Sequence, residues 1–93
     1  MSDNGIERRP KIEFPLSYNL KVIMSNGISQ DEHIGNIKYV LLKLKISFKE
    51  FSHKLSSNEK YISFTVMIRI ENEQMFKALY LELQKLPEIK YAM

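Results

Sequence analysis

The chain has 93 residues, a formal net charge of +3 and no cysteine, which bounds it to one domain and excludes disulfides and cysteine-held metals. No stretch approaches the roughly 20 apolar residues of a membrane span. The polar Met1–Gly5 start has no apolar run behind it, so no signal peptide is expected, and a cytoplasmic location fits.

Residues 1–13 are polar, carry Gly5, Arg8, Arg9 and Pro10, and show no apolar period. They are expected to form a flexible N-terminal tail ahead of a single domain over residues 14–93. Phe14-Pro15 opens that domain, the proline holding Phe14 extended. Tyr18, Leu20, Val22 and Met24 then alternate with Asn19, Lys21 and Ile23, the period of a strand with one apolar face. Ser25-Asn26-Gly27 ends it with turn chemistry.

Ser29 and Glu32 have capping-box spacing, and Ile34, Ile37, Val40, Leu41 and Leu44 recur three and four residues apart. A helix from about Gln30 to Leu44 follows, with Gly35 inside it costing about 1 kcal/mol relative to alanine. Ile46, Phe48 and Phe51 lie in a second strand-like run reaching Lys54, and their change of parity predicts a bulge near Lys49. Ser56 to Lys60 is a turn. Ile62, Phe64, Val66, Ile68 and Ile70 then alternate with Tyr61, Ser63, Thr65, Met67 and Arg69, the longest unbroken period-two pattern in the chain. Asn72 is a good N-cap for a second helix carrying Met75, Phe76, Leu79, Tyr80, Leu83 and Leu86, which Pro87 brings to an end. Ile89, Tyr91 and Met93 alternate in a short last strand.

The order is β-α-β-β-α-β. Two right-handed split crossovers place both helices on one face of a four-stranded antiparallel sheet with strand order 4-1-3-2. The expected fold is therefore α+β, a ferredoxin-like sandwich. Its apolar-rich first and third strands are central, and the lysine-bearing second strand is at an edge.

Two regions stand out as candidate sites. Lys54, Ser56, Ser57 and Lys60 bring hydroxyls, turn amides and cations into one loop that can cradle a phosphate or carboxylate. The plainer role of these serines is to satisfy their own hairpin backbone, and it is the default. The sheet face opposite the helices carries, by parity, Lys21, Ile23, Tyr61, Ser63, Thr65, Met67 and Arg69. Ile23, Tyr61 and Met67 form an apolar patch on it that suits a protein partner or a second copy. His33 and His53 are twenty residues apart, lack zinc-ligand spacing and are expected at the surface or rim. With no nucleotide-binding glycine pattern and no catalytic spacing, neither cofactor nor metal is expected, and the chain is read as no enzyme.

Five lysines, Lys38, Lys43, Lys45, Lys49 and Lys54, against the single acid Glu50 motivate an alternative: an RNA-binding module using the basic region from Lys38 to Lys54. The third strand lacks the aromatic motif of RNA-recognition modules and turns Phe64 toward the helices, which argues against it.

Phe14-Pro15, Lys21-Val22-Ile23, Lys54-x-Ser56-Ser57, Tyr61-x-Ser63-x-x-Val66 and Leu79-Tyr80-x-x-Leu83-x-x-x-Pro87-x-Ile89-Lys90 together resemble the YbeD-like family of small bacterial proteins of unknown function. The resemblance covers about residues 12–93. It implies a ferredoxin-like fold similar to the ACT regulatory domain, a cytoplasmic protein, and no assigned catalysis. ACT-like behaviour further implies pairing through the sheet, as in a homodimer, and a small ligand at the interface. Two positions depart from the family: Leu55 stands where proline is frequent, and Glu59 where glycine is frequent. The positive φ of the hairpin turn is then expected at Asn58. The function expected on these grounds is a non-catalytic regulatory or adaptor module that binds protein, with a small ligand as a further partner.

Overall fold

The ten-residue alternation from Tyr61 to Ile70 forms the longest-buried strand of a four-stranded sheet, and the other elements are arranged around it. The computed structural model describes residues 12–93. In chain order the elements are β1 (Leu16–Ser25), α1 (Gln30–Lys43), β2 (Ser47–Leu55), β3 (Tyr61–Ile70), α2 (Glu73–Leu83) and β4 (Ile89–Ala92). The sheet runs β2-β3-β1-β4 with every pair antiparallel, as the split-crossover topology requires. The tail expected over 1–13 lies outside the described residues except for Ile12 and Glu13.

Period two and burial coincide. Leu20, Val22 and Met24 of β1 and Ile62, Phe64, Val66, Ile68 and Ile70 of β3 face the helices and are buried. Ile37, Val40 and Leu41 of α1 and Leu79 and Leu83 of α2 close over them to make one core. In register, Val22 lies opposite Phe64 and Met24 opposite Ile62, so core side chains from adjacent strands share a face.

Both helix starts are capped from the side chain. The Glu32 amide donates to Ser29 Oγ at 3.1 Å, and the Met75 amide donates to Asn72 Oδ1 at 2.8 Å. At the end of α1 the Lys45 amide bonds the Leu42 carbonyl at 3.1 Å and the Ile46 amide bonds the Leu41 carbonyl at 2.8 Å. That is a Schellman end, and Ile46 and Leu41 are both buried in the same core cluster. It needs a left-handed residue after the cap, and Lys45 supplies it at φ 59°. A side chain in that conformation costs about 1 kcal/mol. Lys45→Gly is therefore expected to stabilise the fold by up to about 1 kcal/mol, raising the melting temperature by up to about 8 °C. A melting temperature equal to or below that of the parent would rule out strain at this cap.

β2 changes register between Lys49 and Ser52, with Glu50 at φ 58°, so the bulge lies where the parity of Phe48 and Phe51 places it. Phe51 consequently packs with Phe48 and Phe64 on the helix side. β4 departs from the expected alternation. Ile89 lies opposite Met24, Tyr91 opposite Ile23 and Ala92 opposite Val22, with an irregularity at Lys90. Ile89 and Ala92 pack against the core, while Tyr91 belongs to the other face. The extra residue is accommodated because only one partner strand restrains this edge.

Histidine 33 also departs from expectation. It is completely buried rather than at the surface or rim. Its position four residues before Ile37 puts it on the apolar stripe of α1. Nε2 lies 2.8 Å from the Ser25 carbonyl, and the ring lies 5.7 Å from that of Phe64. His53 is exposed and lies 3.3 Å from Gln30 Nε2 through Nδ1.

Candidate functional site

Strand pairing defines what the helix-free side of the sheet presents. Ser25, Ile23, Lys21, Asn19 and Ser17 of β1 lie opposite Tyr61, Ser63, Thr65, Met67 and Arg69 of β3. On the far side of β3, Lys54, Ser52, Lys49 and Ser47 lie opposite Ser63, Thr65, Met67 and Arg69. β4 adds Tyr91 beside Ile23. Met93 exchanges two 2.9 Å backbone hydrogen bonds with Lys21 and so falls on the same side. Lys21, Ile23, Tyr61, Ser63, Thr65, Met67 and Arg69 thus share one surface, and none of them is fully buried. No described element covers it.

The surface is apolar at one corner, and over the rest Lys21, Lys49, Lys54 and Arg69 stand among neutral residues. Ile23 has Tyr91 on one neighbouring strand and Tyr61 diagonally on the other, and the two tyrosines are 54% and 40% exposed. Lys90 Nζ stands 6.0 Å from the centre of the Tyr61 ring, a cation–π contact. Arg69 Nε pairs with Glu71 at 2.9 Å at the exposed rim. Tyr91 and Met93 escaped the sequence reading because β4 was expected to alternate without a bulge, which put Ile89 on the same face.

At the apolar corner the β2–β3 turn encloses a depression of about 380 Å³. Ile23, Leu55 and Tyr61 line its apolar side, and Lys54, Ser57 and Ser63 its polar side. Ser56 also borders it, but its hydroxyl is committed to the turn. It donates to Asn58 Oδ1 at 2.9 Å and accepts from the Tyr61 amide at 3.1 Å. Asn58 Oδ1 in turn accepts from the Lys60 amide at 3.1 Å. Asn58 is therefore the acceptor hub of the turn, and the positive φ expected of it belongs instead to Glu59, at 59°. The Asn26 side chain donates to the Glu59 carbonyl at 3.1 Å. Lys60 points to an adjoining depression of about 290 Å³ that it shares with Ser25, Gly27 and Lys90. The loop thus brings Lys54, Ser56 and Ser57 together and separates Lys60 from them.

These bonds distinguish the two serines. Ser56→Ala is expected to cost about 1 kcal/mol of stability, since it removes two hydrogen bonds from the turn. Ser57→Ala, whose hydroxyl has no partner among the described residues, is expected to leave stability within about 0.5 kcal/mol of the parent. Urea melts of both variants check this, and equal costs would contradict the division of roles.

The basic region does not form a single stripe. Lys38 lies over the Phe51 ring at 5.7 Å, and Lys43 pairs with Glu82 at 3.1 Å, both on the helix layer. Hydrogen bonds from Lys43 and then Lys85 hold the Glu82 carboxyl below the usual carboxylate range. Lys45 closes α1, whereas Lys49 and Lys54 belong to the opposite, open face. The Tyr18 and Tyr80 hydroxyls meet at 2.6 Å on the helix side, where burial and that bond push the Tyr18 phenol well above its ordinary range.

An antiparallel sheet in this order, with both helices on one side, defines a ferredoxin-like domain, and the solved structures similar to it include ACT domains. The ACT domain from GTP pyrophosphokinase of Chlorobium tepidum matches with a TM-score of 0.65 at 11% identity, over 85% of this chain and 96% of that one. Protein HP0495 from H. pylori matches with a TM-score of 0.71 at 24% identity, over 95% of this chain and 91% of that one. The P2 domain of the chemotaxis kinase CheA from Thermotoga maritima, solved in complex with the response regulator CheY, matches with a TM-score of 0.50 at 18% identity, over 83% of this chain and 92% of that one. The chain belongs to the family described as a protein of unknown function, DUF493, whose model matches residues 9–93. This agrees with the YbeD-like resemblance of its motifs. Comparison with the curated proteins gives no match. Among the described residues no helix is long and apolar enough to cross a membrane.

Proposed function

We propose that this domain is a non-catalytic regulatory or adaptor module of the cytoplasm that works by binding a protein through the open face of its sheet. The observation that carries the reading is the cluster of half-buried Ile23 with exposed Tyr61 and Tyr91, with half-buried Met67 on the same uncovered surface. Apolar side chains grouped on a face that no described element covers are the usual mark of an interaction surface. The similarity to an ACT domain and to a domain solved with a response regulator supports the same class of role by analogy of fold. The depression beside Lys54 and Ser57 suits a small carboxylate or phosphate as an accessory ligand, with Lys54 supplying charge and Tyr61 an apolar wall.

An affinity capture from native cytosol, with proteins and small molecules identified together, tests the reading when run beside an Ile23→Asp/Tyr61→Asp variant. The expected result is a protein partner retained by the parent and lost by the variant. Retention of the same partner by both would move the binding surface off the open face. Turnover of a co-purified small molecule would overturn the non-catalytic assignment.

A further inference from the structure

We propose that the open face is built for an acidic protein segment, one that sets carboxylates among apolar side chains, and that it disfavours a second copy of this chain. The inference rests on the reading of the open face as the binding surface and adds the chemistry of its partner.

The charges of this chain are sorted by face. None of the strand positions paired across the open side of β2, β3, β1 and β4 is Asp or Glu. Lys21, Lys49 and Lys54 are exposed there, and among the described residues no carboxylate forms an ion pair with them. The described acids are Glu13 ahead of β1, Asp31, Glu32, Glu73 and Glu82 on the helices, Glu59, Glu71 and Glu88 in connections beyond the strand ends, and Glu50, which lies in β2 but at the bulge, outside the paired positions. The helix layer mixes both signs, with Lys43 and Lys77 paired to Glu82 and Glu73. The chain's modest net charge therefore understates the potential over the sheet.

The apolar corner sits among the free cations. Lys21 is two residues from Ile23 along β1, about 7 Å, and Lys54 lies two strand spacings across the sheet, about 10 Å. A segment seating an apolar side chain on Ile23, Tyr61 and Tyr91 has carboxylates on either side of it within reach of both ammonium groups. Met67 and Met93 supply adaptable apolar contact beyond them.

A second copy is a poor occupant. Face-to-face pairing brings two surfaces that each carry Lys21, Lys49 and Lys54 together, with no carboxylate at the paired strand positions of either to oppose them, and like charges in a desolvated interface are repulsive. Edge pairing is blunted too, since β2 is broken by the Glu50 bulge and β4 has four residues with an irregularity of its own. Single-stranded RNA wants aromatic platforms on the central strands. The outward central positions are Asn19, Lys21, Thr65 and Met67, and the Tyr61 ring already carries the Lys90 ammonium.

A ¹H–¹⁵N chemical-shift titration of the full chain tests the proposal with three probes. These are a synthetic peptide alternating glutamate with phenylalanine and leucine, the same peptide with lysine for glutamate, and oligouridylate. The acidic peptide is expected to shift the amides of Lys21, Ile23, Ser63, Thr65 and Tyr91, to weaken with added salt, and to lose at least about tenfold in affinity to Lys21→Glu/Lys54→Glu. Lys38→Glu/Lys77→Glu on the helix layer is expected to leave binding unchanged. The same spectra report whether each variant is folded. If the lysine peptide shifts the open face equally, the face remains the binding surface and its acidic partner is overturned. If oligouridylate engages the face and the acidic peptide does not, the partner class is overturned in favour of RNA. Absence of any shift from the acidic peptide overturns the proposal. Shifts confined to the helix layer overturn both the proposal and the choice of the open face. A dimer forming on concentration, with its shifts on the open face, overturns the claim against a second copy.

Discussion

Phe64→Ala is expected to remove about 3–5 kcal/mol of folding stability, the largest loss available from one side chain in this domain. Phe64 is fully buried near the middle of the most buried strand, opposite Val22 on β1 and His53 on β2. Its ring lies 5.7 Å from His33, 6.4 Å from Phe51 and 6.1 Å from His53, so it joins α1, β2 and β3 at one point. Truncation leaves a cavity that three elements would have to move together to fill. A domain of this length has roughly 5–14 kcal/mol in all. The variant should therefore melt more than about 12 °C below the parent. Tyr61→Ala, three residues earlier on the open face, should cost about 1 kcal/mol or less. Thermal melts of the pair check the assignment of faces. Similar losses at the two positions would contradict it, and a Phe64→Ala protein that melts with the parent would mean that the core closes without this ring.

What was legible in the sequence follows from how many neighbours constrain a residue. β1 and β3 have partners on both sides, so a one-residue slip would turn every apolar side chain to water. Leu20 to Met24 and Ile62 to Ile70 accordingly read as they fold. The same rule placed the bulge of β2, because Phe48 and Phe51 both have to reach the helix side. β4 is restrained on one side by β1 alone, and its irregularity at Lys90 left no parity signal distinct from simple alternation of Ile89, Tyr91 and Met93. That is why Tyr91 joined the candidate face only in three dimensions. The turn misled for a different reason. Asparagine tolerates positive φ better than glutamate, but Asn58 is worth more to this turn as an acceptor for the Ser56 hydroxyl and the Lys60 amide. Residue preference ranked the two positions, and the hydrogen bonds decided between them.

The two faces of the sheet also divide the chain's chemistry. Apart from Glu50 at the β2 bulge, the described carboxylates from β1 onward occur on the helices and at the strand ends, where capping and ion pairs use several of them, as with Glu73 in the first turn of α2 and Glu82 between Lys43 and Lys85. None of them occupies a position paired across the open face. A linear count of lysines from 38 to 54 could not resolve this, because α1 and β2 carry them to opposite sides of the molecule. Strand register, rather than composition, assigns Lys49 and Lys54 to the same surface as Lys21.

His33→Ala is expected to be the second costly substitution, at about 2–4 kcal/mol. The imidazole fills a fully buried site on the first turns of α1 and bonds the last residue of β1, so it fixes where the helix leaves the sheet. A carbonyl only accepts, so the 2.8 Å contact with Ser25 places the ring proton on Nε2. Nδ1 is buried and has no hydrogen-bond partner among the described residues. Alanine loses the packing against Phe64 and strands the Ser25 carbonyl. His33→Phe keeps an aromatic ring, somewhat larger than the imidazole, removes the unpartnered Nδ1 and loses the bond to Ser25. Its expected cost is about 1 kcal/mol. Urea melts of the two variants separate packing from hydrogen bonding. Equal, large losses would show that the bond to Ser25 dominates, and a phenylalanine variant matching the parent would show that the position is held by volume alone.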